Sequence, residues 1–177
     1  MLYTGKGDNG TTRIFACGER IPKSAQRIEA LGNLDELNSL IGFCAALAQE
    51  RLPELEKTLR KFQQDLFTIQ AAVAGAPKKL REEALSELEA FVSKVEREIE
   101  PIHSFIVPGA TIVSGSLDLA RSLARRTERS VVVLSEENKN DSYGHLLPYL
   151  NRLSSALFAA ARLAAKRAGA KEEHPSY

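Results

Sequence analysis

Residues 117–134, LDLARSLARRTERSVVVL, decide how this chain is to be read. Turned at about 100° per residue, Leu119, Ala120, Leu123, Ala124, Thr127, Val131 and Leu134 gather on one side, which makes the segment an amphipathic helix with a face to bury. Arg121, Arg125 and Glu128 follow at i, i+4 and i+7 in a narrow stripe beside that face. Arg126 and Arg129 add positive charge further round. A helix that only had to stay in solution would more usually alternate its charges. Four arginines against one glutamate in nine residues instead make a surface suited to an anion, because guanidinium groups stay charged and grip phosphate oxygens with a planar fork of donors. The same residues also fit a solvated face of Arg–Glu pairs. The segment alone leaves the two readings level.

Outward from that helix, the apolar periodicity repeats four times. Upstream, Ile28, Leu31, Leu34, Leu37, Leu40, Ile41, Cys44 and Leu47 define a helix from Ser24 to about Arg51, with Ser24 as the expected N-cap. Asp35 falls at the edge of its apolar stripe, where a partly desolvated carboxylate wants a cationic partner such as Arg121. A rim carboxylate held by solvent is the equal alternative. Gly32 and Gly42 leave room for close packing or ligand approach. Pro53 starts the next helix as an N1 residue, and Leu55, Leu59, Phe62, Leu66, Ile69 and Val73 carry it to Gly75 and Pro77. A third helix runs from about Lys79 to Ile99 on Leu85, Leu88, Val92, Val95 and Ile99. Downstream, Leu146, Leu150, Leu153 and Leu157 set the face of a last helix over roughly 145–168, with Asn151, Ser154 and Ser155 on its flank. The tail KEEHPSY carries no pattern and is expected to be loose.

Two segments break the helical pattern. Residues 1–23, MLYTGKGDNGTTRIFACGERIPK, crowd Gly5, Gly7, Gly10 and Gly18 among Asp8, Asn9, Thr11 and Thr12, which is turn chemistry. Glycines let backbone N–H groups approach a phosphate, and Lys6 or the threonines add contacts. The P-loop order is absent, and a frayed N-terminal arm fits the same string. Residues 100–111, EPIHSFIVPGAT, form a non-helical link in which Phe105, Ile106 and Val107 make a short apolar run. By itself Phe105 fits a core plug better than a functional side chain.

Composition bounds the rest. The chain has 177 residues, 44% hydrophobic and 27% charged, with a net charge of +1. That is the profile of one globular domain with no overall pull toward nucleic acid or membrane. Any anion site must therefore be a local cluster. With 6% aromatic residues a basic-helix RNA binder is poorly supported. Cys17 and Cys44 form neither a metal spacing nor a disulfide framework, so a reduced, cytoplasmic setting is expected. No apolar run spans a membrane, and no signal-peptide pattern opens the chain. His103, His145 and His174 lie outside any Glu-x-x-His motif, which argues against a di-iron bundle. The expected fold is all-α, a five-helix up-and-down bundle over 24–168 with a Gly-rich N-terminal loop, all in a single domain of 1–177.

Six stretches, in order, resemble the PduO-type ATP:cob(I)alamin adenosyltransferases: YTGKGDNGTT at 3–12, GERIPK at 18–23, GNLDELNS at 32–39, FIVPGAT at 105–111, ARSLARRTER at 120–129 and YLNRLSSALF at 149–158. The resemblance implies a homotrimer with an active site at each subunit interface. It implies ATP against Thr4, Gly5, Lys6, Gly7, Thr12, Arg13 and Lys23, with Arg125, Arg126, Thr127, Glu128, Arg129 and Asn151 completing the nucleotide contacts. It pairs Arg121 with Asp35 across the interface and makes Phe105 the wedge that displaces the corrinoid's lower axial base. Mg²⁺ is expected through the ATP phosphates, with no protein ligand assigned, and cob(I)alamin or a related corrinoid is the second substrate. A corrinoid reductase and an adenosylcobalamin-dependent acceptor enzyme are the implied partners, and neither nucleic acid nor membrane is. The chain departs from the family at Gly5, where a basic residue is common, at Ala110, and at Ser155, where an acidic residue is usual. A bundle that keeps the nucleotide site but not catalysis, as a sensor or interaction module, is the alternative.

Overall fold

A computed structural model describes residues 3–15, 18, 20–137 and 143–176; Cys17 and the centre of the polar connection after the arginine helix lie outside them. The five apolar periods become five helices: α1 (Gln26–Ala48), α2 (Pro53–Val73), α3 (Ala84–Glu96), α4 (Ile112–Glu137) and α5 (Leu147–Arg167), the last preceded by a short 3₁₀ turn, Gly144–Leu146. They form a helical bundle in which α4 packs against both α5 and α1, α1 against α2, and α3 against α5.

The reasons are visible helix by helix. In α2 all six periodic residues, Leu55, Leu59, Phe62, Leu66, Ile69 and Val73, are buried. Pro53 occupies the first turn, where its missing N–H costs nothing. Gly75, at φ +89°, ends the run in a conformation that an L side chain resists. In α5 a row of small residues (Ala156, Ala160, Ala161, Ala164) is fully or almost fully buried and lets α4 approach closely. Gly42 does the same for α1 and α2: a Cβ there would stand 2.6 Å from Gln63 Nε2, which donates to the Asn38 carbonyl at 3.0 Å. Leu34, Leu37, Ile41, Leu59, Leu66, Leu117 and Leu153 have no exposed surface, and burial of each such side chain contributes roughly 1.5–3 kcal/mol.

Several expectations need correction. Ser24 is not the N-cap of α1; Ala25 holds that place with no side-chain cap. The third helix is shorter than its apolar pattern, running Ala84–Glu96; in the turn before it Arg81 is held by Glu87 at 2.8 Å and by the buried Asp65 at 3.4 Å. Leu119 is 54% exposed, while Leu117 and Asp118 face inward. Asp118 is tolerated there because Arg162 of α5 meets it with two hydrogen bonds, at 2.8 and 3.0 Å. An apolar count could not include a carboxylate whose partner lies 44 residues away.

The N-terminal segment is also more ordered in pattern than an arm. Two short strands, β1 (Thr11–Arg13) and β2 (Arg20–Pro22), pair antiparallel with Thr12 opposite Ile21. At the other end, α4 opens on a reciprocal cap. The Ser114 N–H donates to Thr111 Oγ1 at 3.0 Å and the Thr111 N–H to Ser114 Oγ at 2.8 Å. The tail is not loose either. The Val107 N–H donates to the Glu173 carbonyl at 2.8 Å, which docks residues 172–174 on the link before α4.

Candidate active site

Two cationic clusters stand out, built in different ways. The first is the glycine loop. Gly5 (φ +66°) and Gly10 (φ +77°) permit two tight turns, closed by Asp8 N–H to the Gly5 carbonyl at 3.2 Å and Gly10 N–H to the Gly7 carbonyl at 3.1 Å. Asn9 Oδ1 accepts from the Thr11 N–H and hydroxyl, at 3.2 and 2.7 Å. Arg20 clamps the whole: Nε donates to Thr11 Oγ1 at 2.7 Å, and a terminal nitrogen donates to the Thr11 carbonyl at 2.6 Å and to the Lys6 carbonyl. Lys23 donates its backbone N–H to the Gly10 carbonyl at 2.9 Å. Its side chain lies over Gly7, so near that a Cβ there would stand 3.2 Å from Nζ. The close approach of that ammonium is what the glycine at 7 provides. Lys6, Arg13 and Lys23 are exposed and make no ion pair among the described residues. Thr4 and Gly5 are exposed beside them, and Thr12 is half-buried in β1.

The second cluster is the stripe on α4. Arg125 and Arg129 are exposed and unpaired among the described residues, whereas Arg126 forms an ion pair with Glu36 of α1. Glu128 accepts a hydrogen bond from Asn151 Nδ2 at 2.8 Å, so a side chain of α5 is joined to the stripe. One turn earlier, Arg121 lies over the Phe158 ring at 5.9 Å. Its Nε is buried and has no hydrogen-bond partner among the described residues. Such an orphaned charged donor is costly unless another group meets it. Among the described residues, no hydrogen bond or ion pair joins the glycine loop to the stripe.

The glycine loop and the arginine stripe each leave cationic side chains unpaired among the described residues, an arrangement suited to an anion. The family comparison decides which kind of protein carries them: the model for cobalamin adenosyltransferase matches residues 2–164. The chain belongs to the cobalamin adenosyltransferase family. It is 41% identical over 169 residues to the corrinoid adenosyltransferase PduO of Salmonella typhimurium, covering 91% of this chain and 48% of that protein. It is 36% identical over 182 residues to the corrinoid adenosyltransferase MMAB of Homo sapiens, covering 97% and 72%. The chain thus spans about half the length of the Salmonella relative. Its fold matches a variant PduO-type ATP:corrinoid adenosyltransferase from Lactobacillus reuteri, solved with cobalamin and ATP, over 100% of both chains with a TM-score of 0.91 and 30% identity.

Within this cobalamin adenosyltransferase fold, three site expectations change. Thr127 is buried, and its hydroxyl donates to the Asn33 carbonyl of α1 at 3.0 Å, so it joins α4 to α1. Asp35 is exposed on the single chain rather than at a desolvated rim, with no partner among the described residues. Phe105 is 78% exposed, so it is no core plug. The residue reading missed Arg20, Glu36, Ser104, Asp118, Arg162 and His174. Only Arg162 left a signal, as a lone cation within the alanine-rich face of α5.

Proposed function

We propose that this chain transfers the 5′-deoxyadenosyl group of ATP to the cobalt of cob(I)alamin or a related corrinoid, forming adenosylcobalamin and triphosphate. The cobalt electron pair attacks C5′, the C5′–O5′ bond breaks, and its electrons leave with the triphosphate. The substrate is itself the nucleophile, so the protein needs no activated serine or cysteine. Its work is to hold C5′ in line and to stabilise charge on the leaving group. Lys6, Arg13 and Lys23 from the loop, with Arg125 and Arg129 from the stripe, are free to do the second. Thr4, Gly5, Gly7 and Thr12 supply the surrounding surface, and Asn151 fixes Glu128 beside it.

The observation that carries this reading is that Lys6, Arg13 and Lys23 of the loop and Arg125 and Arg129 of the stripe are exposed and meet no counter-charge among the described residues. Among the described residues no three His, Cys, Asp or Glu side chains converge on a metal site. Mg²⁺ would enter on the ATP phosphates, and Glu128 is the carboxylate of the stripe that could approach it. Bound there, Mg²⁺ supplies further neutralisation of the triphosphate. The orphaned Arg121 Nε and the exposed Asp35 support a homotrimer in which each meets the other across an interface. Phe105, exposed and apolar, suits a wedge that keeps base and water from the lower face of cobalt, which makes the metal easier to reduce. Residues 1–23 then act as the nucleotide arm of one domain spanning 1–177, in a reduced, cytoplasmic setting.

The test begins with thermal denaturation with and without Mg-ATP. It continues with the absorbance change of cobalt alkylation when reduced cobalamin is added under anaerobic conditions. A rise in Tm followed by alkylation is expected. A Tm rise with no alkylation would turn the reading to a silent nucleotide sensor.

A further inference from the structure

The link 101–110 that carries Phe105 contains neither helix nor strand, and Phe105 has almost no packing of its own. A wedge on such a segment would be held poorly, since ordering each free residue costs about 1–2 kcal/mol. Something else must hold the link, and the C-terminal tail is against it.

We propose that residues 172–174 are a strap that positions the Phe105 link for the corrinoid, with His174 and Glu172 as positioning residues; this rests on the adenosyl-transfer reading above. His174 Nδ1 lies 2.9 Å from the Phe105 carbonyl oxygen and 2.8 Å from Ser104 Oγ. A carbonyl can only accept, so the contact with Phe105 is a hydrogen bond in the tautomer that carries its proton on Nδ1, and the Ser104 hydroxyl oxygen lies close enough to share that proton. Next to it, the Glu173 carbonyl accepts the Val107 N–H at 2.8 Å. Two consecutive tail residues therefore hold the link on both sides of Phe105.

The strap has a buried anchor. Glu172 Oε1 lies 3.1 Å from Arg162 Nε, a charge contact rather than an aligned hydrogen bond, since neither atom finds a hydrogen-bond partner. Arg162 is 2% exposed and is fixed from the far side by Asp118 of α4 at 2.8 and 3.0 Å. Its guanidinium lies 5.0 Å from the Phe158 ring, the ring that Arg121 also faces. One buried arginine thus references both the tail that holds Phe105 and the aromatic ring beside Arg121. The wedge and the stripe are set against a common point of the core.

The test uses the full chain with His174→Leu, His174→Asn and Glu172→Gln. Asparagine keeps an amide N–H near the place of Nδ1, whereas leucine removes the donor. In His174→Leu, hydrogen exchange at the Val107 amide should quicken about tenfold and kcat should fall about tenfold, with the KM for ATP within about twofold of wild type. The absorption spectrum of bound cob(II)alamin with ATP should shift toward the form that keeps its lower base. His174→Asn should recover most of both effects, and Glu172→Gln should show the same changes at smaller size. Wild-type exchange over 104–107 together with wild-type kcat in His174→Leu would overturn the strap. Equal damage in the leucine and asparagine variants, with ATP binding lost too, would overturn it as well, since that is general unfolding. If wild-type protein alkylates no corrinoid, the functional reading fails by itself, and the exchange comparison still decides whether the tail holds the link.

Discussion

Two arginines face the one Phe158 ring, and their surroundings are opposite. Arg162 is buried, doubly hydrogen-bonded by Asp118 and approached by Glu172. Arg121, like Arg162, has a buried Nε without a hydrogen-bond partner, but among the described residues no carboxylate pairs with its guanidinium. In the α4–α5 seam Arg162 has counter-charges in Asp118 and Glu172, and Arg121 has none among the described residues. A closed buried pair holds a fold together only as long as both partners remain. An open buried donor costs stability in the isolated chain and is kept where assembly or ligand binding completes it.

The strongest way to break this contrast is Arg162→Ala. It strands Asp118 in the core without counter-charge, a loss of about 3–5 kcal/mol, or on the order of 10 °C in Tm for a chain of this size. Arg121→Ala removes an unmet donor, so the melting of the isolated chain should barely fall. Calorimetry of the two variants at low protein concentration compares them. Equal losses would show that Arg121 is already satisfied.

Next in size is Asp35→Asn, which under the trimer reading leaves Arg121 unpaired across the interface. The assembled state should lose roughly 2–4 kcal/mol, seen by sedimentation as dissociation at micromolar concentration. Reversing both charges together should restore part of the assembly. An Asp35→Asn protein that sediments and turns over as wild type would make the residue a solvated surface carboxylate.

Arg125→Ala should leave folding unchanged and reduce kcat/KM by about 10- to 150-fold, the value of one charge-assisted contact to the leaving triphosphate at roughly 1.5–3 kcal/mol. Steady-state kinetics alongside a melting curve checks it, and near-normal turnover would remove Arg125 from the site.

The smallest effect lies at the exposed end of the scale. Arg81, and beside it Lys61, hold the Glu87 carboxyl at about 2, below its ordinary 4.5. Because the folded value is depressed, this contribution is present above pH 4.5 and is lost as pH falls toward 2. The Tm difference between wild type and Glu87→Gln should be modest at neutral pH, since the group is solvent-screened. It should close over that acid range. A difference that persists at pH 2 would assign it to packing.

How much was legible in the chain follows from what each signal measures. Leu55, Leu59, Phe62, Leu66, Ile69 and Val73 announced α2 because a helix buries one face at a fixed period, and that period is written locally. The arginine stripe was legible for the same reason. Leu119 was misassigned although Leu117, Ala120, Ala124, Thr127, Val131 and Leu134 keep a local three-four spacing without it; Asp118 was passed over because its partner Arg162 lies on α5, outside any local count. Thr127 looked like part of a nucleotide-contacting run, yet its hydroxyl is spent on the Asn33 carbonyl of α1.

By itself the sequence determined the five helices, their apolar faces, the glycine loop and the family, because propensity, periodicity and motif order are properties of neighbouring residues. The tertiary structure alone decided which charges are closed and which are open. It matched Arg162 with Asp118, brought Lys23 over Gly7, knotted the loop through Arg20, and docked His174 beside Phe105. These are meetings of residues far apart in the chain. A charge buried at one point is tolerated only if another element delivers its partner, and where that element arrives is set by the packing of the whole bundle.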